Sequence, residues 1–324
     1  MHGLAGRLGR RASALLAVGA MAGISVVAGA PPAAALSLPC SGSWQNQVSV
    51  FHQGGSALTH WYENLEFDGL GTMWVSNNTG DRVERFDSAG SRLESRPADN
   101  PGAVRIKGGQ LYVNHGNGAG EALLQETGRA AVDRLDPQHP ELPGVRFASG
   151  LKMANGGAFD AAGNYYVTNT GSTGIGPHDG VTKVRPDGSL DTAWNQAANQ
   201  WGLNGAFVAG DTLYTTSTAD LSSPVTAIPL DDPGQARVIA RLSAALTKGL
   251  DDLVLGPDGY LYVAGFLSNE LLRVNPSTGS HCVVADHIIS PTGVRFSRFP
   301  GEDPAKVVYV TKASGNILRI ELGG

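Results

Sequence analysis

Residues 249–264 read GLDDLVLGPDGYLYVA, and this stretch contains the unit that repeats along the chain. Leucine and valine alternate over residues 253–255, which is the period-two pattern of a β-strand. Residues 257–259 (PDG) predict a tight turn, because proline presets φ and glycine accepts a positive φ. Asp251 opens the first strand, and strict alternation predicts its carboxylate on the face of Leu253, where a buried charge needs a partner.

The same strand–turn–strand unit occurs six times, and its first residue is called the head below. Three copies place the head eight positions before the turn glycine, and a fourth has a turn one residue shorter. The heads are Glu63, Gly102, Asn155, Asn204, Asp251 and Thr292, separated by 39, 53, 49, 47 and 41 residues. Short strands that repeat every 40 to 50 residues or so predict a radial array of blades.

The repeat count predicts an all-β fold, a six-bladed β-propeller of four-stranded blades. A third short strand follows each unit and supports the same count. Residues 47–51 (QVSVF) form a strand with no preceding blade, so we expect it to complete blade six. The ring is then closed by the N- and C-terminal strands, which removes the exposed edges of a seam. Residues 47–324 are predicted to form this single domain.

The N-terminus has the pattern of a targeting segment. Three arginines (Arg7, Arg10, Arg11) precede an apolar, small-residue-rich run over residues 12–30, and residues 33–35 (AAA) provide a cleavage site. We therefore predict a signal peptide over residues 1–35, a linker over 36–46 and a secreted protein. A retained membrane anchor is the alternative, and the proline pair at 31–32 disfavours it.

The charge and the cysteines fit an exported protein. Removing the leader changes the formal charge from −5 to about −8, since it contains three arginines and no acids. Such a charge disfavours nucleic acid and anionic membranes as partners after signal cleavage. Only Cys40 and Cys282 are present, and neighbouring blades bring them close, so we predict one disulfide between them.

Four heads carry oxygen donors. Heads of innermost strands meet at one mouth of the central channel, so Glu63, Asn155, Asn204 and Asp251 are expected to converge. Two carboxylates and two amide carbonyls suit a hard cation, and Ca²⁺ tolerates irregular geometry better than Mg²⁺, although other divalent cations are possible in vitro. A single such residue at a strand start is usually a turn or cap residue; four among six equivalent positions favour a metal site.

Further residues are expected around the same mouth, because they precede a head or follow a second strand. We predict a substrate rim formed by His60, Met153, Trp201 and Phe266. His115, in the loop NHGNG at residues 114–118, is the candidate for a second proton-transfer group beside Asp251.

The ordered set Glu, Asn, Asn, Asp on this repeat resembles the family of senescence marker protein, gluconolactonase and luciferin-regenerating enzyme, to which diisopropylfluorophosphatase is related. The resemblance covers roughly residues 45–322. It implies Ca²⁺ bound by Glu63, Asn155, Asn204 and Asp251, with Asp251 also catalytic. Asn64, Gly156, Asp252 and Met153 depart from the family pattern, and Met153, which replaces an arginine, disfavours a sugar lactone.

The resemblance implies a secreted calcium-dependent hydrolase of the lactonase or esterase type, acting on a small-molecule lactone or ester. The metal would polarise the carbonyl, and Asp251 would act as base or nucleophile. Two alternatives stay open: a non-enzymatic binding module with structural calcium, and a cyclase or lyase acting on a natural product. The fold does not choose among them.

Overall fold

The computed structural model describes residues 38–40, 46–125, 128–139, 141–172, 179–243 and 248–323. In these ranges, 23 strands form six antiparallel sheets. The innermost strands contact one another in ring order, and that of the last sheet contacts that of the first. The predicted six-bladed β-propeller is confirmed. The predicted signal peptide, and much of the predicted linker, lie outside the described residues.

The first three strands of each blade run outward from the channel in chain order. The innermost strands are β2 (Tyr62–Phe67), β6 (Val104–Lys107), β10 (Gly157–Phe159), β13 (Leu203–Ala209), β17 (Leu250–Leu255) and β21 (Pro291–Phe296). The second strands are β3 (Met73–Asn77), β7 (Gln110–His115), β11 (Tyr165–Thr168), β14 (Thr212–Ser217), β18 (Leu261–Gly265) and β22 (Val307–Lys312). The third strands are β4 (Arg82–Phe86), β8 (Ala131–Leu135), β12 (Val181–Val184), β15 (Pro224–Pro229), β19 (Glu270–Val274) and β23 (Asn316–Glu321).

Among the described residues, five blades have an outermost fourth strand. These strands are β5 (Arg92–Pro97), β9 (Val145–Ala148), β16 (Arg237–Arg241), β20 (His281–Ala285) and, in blade six, β1 (Gln47–Gln53). In blade three, the helix α2 (Thr192–Ala198) packs against β12 where the other blades have this strand. Its N-cap, Asp191, accepts a hydrogen bond from the backbone of Trp194, which explains why a helix starts there.

Within the described ranges, two other short helices lie outside the sheets, α1 (Ala119–Leu124) and a 3-10 helix (Pro233–Gln235). In the part of the chain that the structure covers, no helix is long and apolar enough to cross a membrane.

Both chain ends contribute to blade six, as predicted. β1 pairs antiparallel with β23, from Gln47 opposite Glu321 to Gln53 opposite Asn316. The predicted disulfide between Cys40 and Cys282 is also present. It joins the segment before β1 to the outer strand of blade five.

Hydrophobic clusters fill the spaces between neighbouring blades. Val254 and Tyr262 of blade five, for example, pack with Val294 and Val310 of blade six, all almost fully buried. Burial of such side chains stabilises the fold by about 1.5–3 kcal/mol each. The clusters hold the inner strands in fixed positions around the channel.

The inner strands are irregular at their heads. Pairing registers shift between Tyr62 and Asn64, between Leu203 and Ala206, and between Leu250 and Leu253. Such bulges re-aim side chains and are common beside functional sites. The alternation predicted to place Asp251 on the face of Leu253 therefore does not extend across the bulge.

Candidate metal centre

A hydrogen bond from the second strand of one blade holds the head of the next blade. The side-chain donors and head carbonyl acceptors are Ser76 to Gly102, Asn114 to Asn155, Thr168 to Asn204, Thr216 to Asp251 and Thr311 to Glu63. At the remaining seam, the equivalent position is Ala264, which has no hydroxyl. These bonds, called seam bonds below, fix the backbone of all four predicted ligands.

The seam threonines also explain the glycine that follows each asparagine head. Thr168 Oγ1 accepts from the backbone N–H of Gly156, and Thr216 Oγ1 accepts from Gly205, both at 2.8 Å. A β-carbon on either glycine would collide with the hydroxyl and with the next head. The Asn-Gly pairs are therefore a packing requirement of the seam.

The two asparagine heads are oriented in the same way. Asn155 Nδ2 donates to Thr170 Oγ1 at 2.8 Å, and Asn204 Nδ2 donates to Thr218 Oγ1 at 2.6 Å. Both asparagines are buried. In each blade the amide nitrogen donates a hydrogen bond to a threonine. The amide oxygen therefore remains available as a ligand for a cation.

The Glu63 carboxylate is held by two neutral donors. Trp61 Nε1 donates to Oε2 at 2.6 Å, and Asn117 Nδ2 donates to Oε1 at 2.8 Å. Burial raises the pKa of Glu63 to about 6, despite these two hydrogen bonds. The carboxylate therefore gains stability from any positive charge placed beside it.

The Asp251 carboxylate lies near Glu63. Burial, followed by repulsion from Glu63 and Asp252, raises the pKa of Asp251 well above its ordinary value, while a hydrogen bond from Asn204 opposes the rise. Among the described side chains, neither Glu63 nor Asp251 forms an ion pair with a lysine, arginine or histidine. Two buried acids without a cationic partner, one of them hydrogen-bonded by the Asn204 amide, fit a divalent cation.

The donor set has no soft ligands. Where the structure describes side chains, no group of three or more histidine, cysteine, aspartate or glutamate residues could hold a metal. A site of two carboxylates and two amides does not form such a group. It suits Ca²⁺ rather than Zn²⁺.

A second polar group, the channel cluster, comprises Asn64, Glu66, Arg105, Asp252 and Arg295. Arg295 Nη1 donates to Asp252 Oδ2 at 2.7 Å, and Asn64 Nδ2 donates to the same oxygen at 3.0 Å. Arg105 Nη1 donates to Asn64 Oδ1 at 2.5 Å, and its Nη2 lies 3.6 Å from Asp252 Oδ1. All members except the partly exposed Glu66 are buried, and the cluster joins the inner strands of blades one, two, five and six.

The four predicted rim residues have different surroundings. Phe266 of blade five stacks on Trp61 of blade one, with ring centroids 5.8 Å apart and planes at 21°. The pair connects blades one and five across the end of blade six, and its Trp61 ring is hydrogen-bonded to Glu63. Met153 is buried, whereas Trp201 is 39 % exposed. His60 contacts Thr59 and Arg82 within its own blade, through Nδ1 and Nε2.

Both ring nitrogens of His115 have close polar neighbours. Nδ1 accepts from the backbone N–H of Asp99 at 3.2 Å, and Nε2 lies 3.1 Å from Asp133 Oδ2. Its catalytic role stays a prediction, and the reaction proposed below does not use it.

Sequence reasoning missed Asn117 and the channel cluster. Asn117 lies in the loop from which His115 was selected, and its contact with Glu63 depends on how two blades meet. Arg105 and Arg295 did leave a signal, because each stands three residues after a head that has no ligand-type side chain, Gly102 or Thr292.

No protein-family profile matches the chain, and no curated protein matches it in sequence. Many solved structures share its fold. A gluconolactonase from Xanthomonas campestris superposes with a TM-score of 0.63 at 14% identity, covering 90% of this chain and 99% of that one. Regucalcin, a calcium-binding protein from Agrobacterium tumefaciens, gives 0.60 at 17% identity, covering 85% and 97%.

The structural neighbours also include an enzyme of another reaction class. Virginiamycin B lyase from Staphylococcus aureus gives a TM-score of 0.55 at 10% identity, covering 87% of this chain and 100% of that one. The gluconolactonase resemblance identified from the sequence is thus matched among the neighbours. At these identities, the comparisons establish the propeller fold that this chain shares with all three proteins.

Proposed function

We propose that the protein is a divalent-cation-dependent hydrolase that opens lactones or cleaves esters, with Ca²⁺ held by Glu63, Asn155, Asn204 and Asp251. The observation that carries this proposal is the pair of buried acids, Glu63 and Asp251, which have no cationic side-chain partner in the described structure. Keeping two such acids ionised in a buried site is costly unless a cation compensates their charge. A purely structural turn or cap needs no such pair.

The side chains divide the work of an acyl-transfer reaction. A bound cation supplies Lewis-acid polarisation of the scissile carbonyl. Asn155 and Asn204, held by threonines, present neutral oxygens and keep the local charge low. Asp251 provides the carboxylate that either removes a proton from the attacking water or attacks the carbonyl itself. The Trp61–Phe266 pair forms an apolar wall beside Glu63 that reduces the access of water.

Two further observations support the proposal. One structural neighbour is a gluconolactonase, which supports a lactonase reaction on a small molecule. Another, regucalcin, is a calcium-binding protein, which supports a Ca²⁺ site. We also propose that the protein is exported after cleavage of residues 1–35. The Cys40–Cys282 disulfide supports this, since such bonds persist in oxidising compartments.

The test is a panel of aliphatic lactones, sugar lactones and aryl esters, assayed with Ca²⁺ and after chelation with EGTA. We expect turnover that is lost on chelation and restored by Ca²⁺. Asp251→Asn should lower kcat at least about a hundredfold, within the usual range for a proton-transfer group. Asp231→Asn, an exposed acid, is the control and should retain wild-type rates. Wild-type turnover in Asp251→Asn would contradict the assigned role.

A lyase reaction is the second candidate, because virginiamycin B lyase shares the fold. Product analysis in ¹⁸O-labelled water separates the two reactions: a hydrolase incorporates one oxygen atom from water, whereas an elimination incorporates none. If the protein binds Ca²⁺, unfolds when Ca²⁺ is chelated and turns over none of these substrates, the results would favour a non-enzymatic binding module.

A further inference from the structure

The channel cluster places fixed positive charge near the proposed metal ligands. Arg105 Nε donates to the Gly157 carbonyl at 2.5 Å, and Arg295 Nη1 donates to Asp252 at 2.7 Å. Both side chains are about 6% to 7% exposed. The two guanidinium groups therefore cannot turn away into solvent when a metal ion binds or leaves.

The first residues of the six repeat units have a defined net charge. The first four residues of the six repeat units, counted from each head, contain four acids: Glu63, Glu66, Asp251 and Asp252. Over the same positions, the only basic residues are Arg105 and Arg295. Four negative and two positive charges leave a net charge of −2, which one divalent cation neutralises.

The two arginines form ion pairs with Asp252 and Glu66, but their hydrogen bonding is incomplete. Among the described residues, the Nη2 atoms of both arginines are buried and have no hydrogen-bond partner. Arg105 lies near enough to Arg295 for the second charge to lower its pKa, after the larger effect of burial. Such an arrangement costs free energy if its purpose is only to hold strands together, because buried N–H groups are left unpaired.

We infer that Arg105 and Arg295 set the valence of the bound ion, by reducing the negative charge around the site to the value that a divalent cation balances. The inference rests on the metal site proposed above. A trivalent ion of similar size would leave an uncompensated positive charge in a low-dielectric channel, where charge interactions are strong. Removing one arginine charge should therefore favour a trivalent ion over Ca²⁺.

Terbium luminescence tests the inference without an activity assay. Tb³⁺ takes oxygen ligands as Ca²⁺ does, and Trp61 lies next to Glu63, so its indole can sensitise terbium emission. Titration with Tb³⁺, and competition with Ca²⁺, give both affinities in each variant. Arg105→Met should raise the ratio of Tb³⁺ to Ca²⁺ affinity about tenfold, as expected for one charge within about 10 Å at an effective dielectric constant near 20.

Three variants separate charge from structure. Arg105→Lys keeps the positive charge but loses the planar guanidinium group with its several N–H donors. Its ratio of Tb³⁺ to Ca²⁺ affinity should therefore stay near that of the wild type. Arg105→Met combined with Asp252→Asn restores the net charge of −2 and should restore the ratio. Arg237→Gln, which removes an exposed arginine charge in β16, is the matched control and should leave the ratio unchanged.

The outcomes are distinct. An unchanged ratio in Arg105→Met, in protein that still binds Ca²⁺, overturns the inference and leaves the proposed metal site intact. The inference is also overturned if the affinity ratio of the double variant, Arg105→Met with Asp252→Asn, changes as much as that of Arg105→Met alone. Wild-type protein that gives no terbium emission and no Ca²⁺ competition overturns the metal site, and this inference with it.

Discussion

Asn117 Nδ2 lies 2.8 Å from Glu63 Oε1, although 54 residues separate the two in sequence. The loop that carries Asn117 belongs to blade two, and Asn78 of blade one holds it by donating to the Asn117 carbonyl at 2.9 Å. Packing between two blades therefore orients the carboxylate proposed to bind the metal.

We expect Asn117→Ala to weaken Ca²⁺ binding about tenfold. The substitution removes one of two donors to Glu63, and a hydrogen bond to a charged group contributes about 1.5–3 kcal/mol. Isothermal titration calorimetry measures the affinity. Asn77→Ala is the control, since Asn77 donates to Glu84 and not to Glu63, so it should lower stability and leave Ca²⁺ affinity unchanged. Equal affinities in wild type and Asn117→Ala would contradict the orienting role.

A seam bond should matter both for stability and for the site. Thr216 Oγ1 donates to the Asp251 carbonyl and accepts from Gly205. Thr216→Val removes the hydroxyl at nearly constant volume, leaves the Gly205 N–H unpaired and should destabilise the fold by about 1–3 kcal/mol. We also expect weaker Ca²⁺ binding, because the backbone of Asp251 is released. Urea unfolding and calorimetry measure the two effects.

The adjacent residue provides the control for this experiment. Thr215 Oγ1 is buried and, in the described structure, has no hydrogen-bond partner. Thr215→Val should therefore be neutral or stabilising. If both valine variants lost the same stability, the effect would be one of packing and not of the seam bond.

Acid unfolding should depend on Glu84 in blade one. Burial alone would raise its pKa, but the Arg82 hydrogen bond and charge, the Tyr62 hydroxyl and Arg92 together hold the pKa below its ordinary value of 4.5. A carboxylate with a lowered folded-state pKa stabilises the fold above its unfolded-state pKa. This stability is lost as the pH falls below about 4.5 and through the lower folded-state value.

Glu84→Gln should consequently destabilise the protein near pH 7 by about 1.5–3 kcal/mol, since it removes the charge that the hydrogen bonds from Arg82 and Arg92 stabilise. The difference from wild type should shrink as the pH falls below 4.5. Urea midpoints between pH 3 and pH 7 measure it, with Asp231→Asn as the exposed control. A difference that stays constant over this range would show that the Glu84 charge does not contribute.

The ring could be predicted from the sequence because its evidence is local and repeated. Each unit, such as residues 249–264, carries its own turn and alternation, and six units define the architecture. The pairing of β1 with β23 also followed, because a strand without a blade must complete the last one. Helix α2 could not be predicted from the sequence, because its only signal is one N-cap residue, Asp191, within a pattern that otherwise indicates strands.

The candidate site was only partly predictable, for a physical reason. The heads are expected at one mouth because equivalent positions of a ring converge. The channel cluster depends on which side chains reach across the channel, as Arg105 does to Asn64 and Asp252. That reach is set by rotamers and by the bulges at the heads, which leave no periodic trace in the sequence.

The disulfide between Cys40 and Cys282 is expected to stabilise the closure of the ring. Cys40 and Cys282 are 242 residues apart, so their bond closes a very long loop. In the chain-entropy model, this stabilises the fold by about 5 kcal/mol, and measured values are often smaller. It also holds the segment before β1 against blade five, where Cys40 N–H donates to the Val283 carbonyl at 3.0 Å.

Cys40→Ser with Cys282→Ser should therefore lower the guanidinium midpoint and expose β1 first. We expect limited proteolysis to cut near residues 46–53 in the variant before any other blade is cleaved, because loss of β1 leaves β23 as an unpaired edge. Wild-type protein without reductant is the control. A variant with an unchanged midpoint and no early cleavage near β1 would show that strand pairing alone closes the ring.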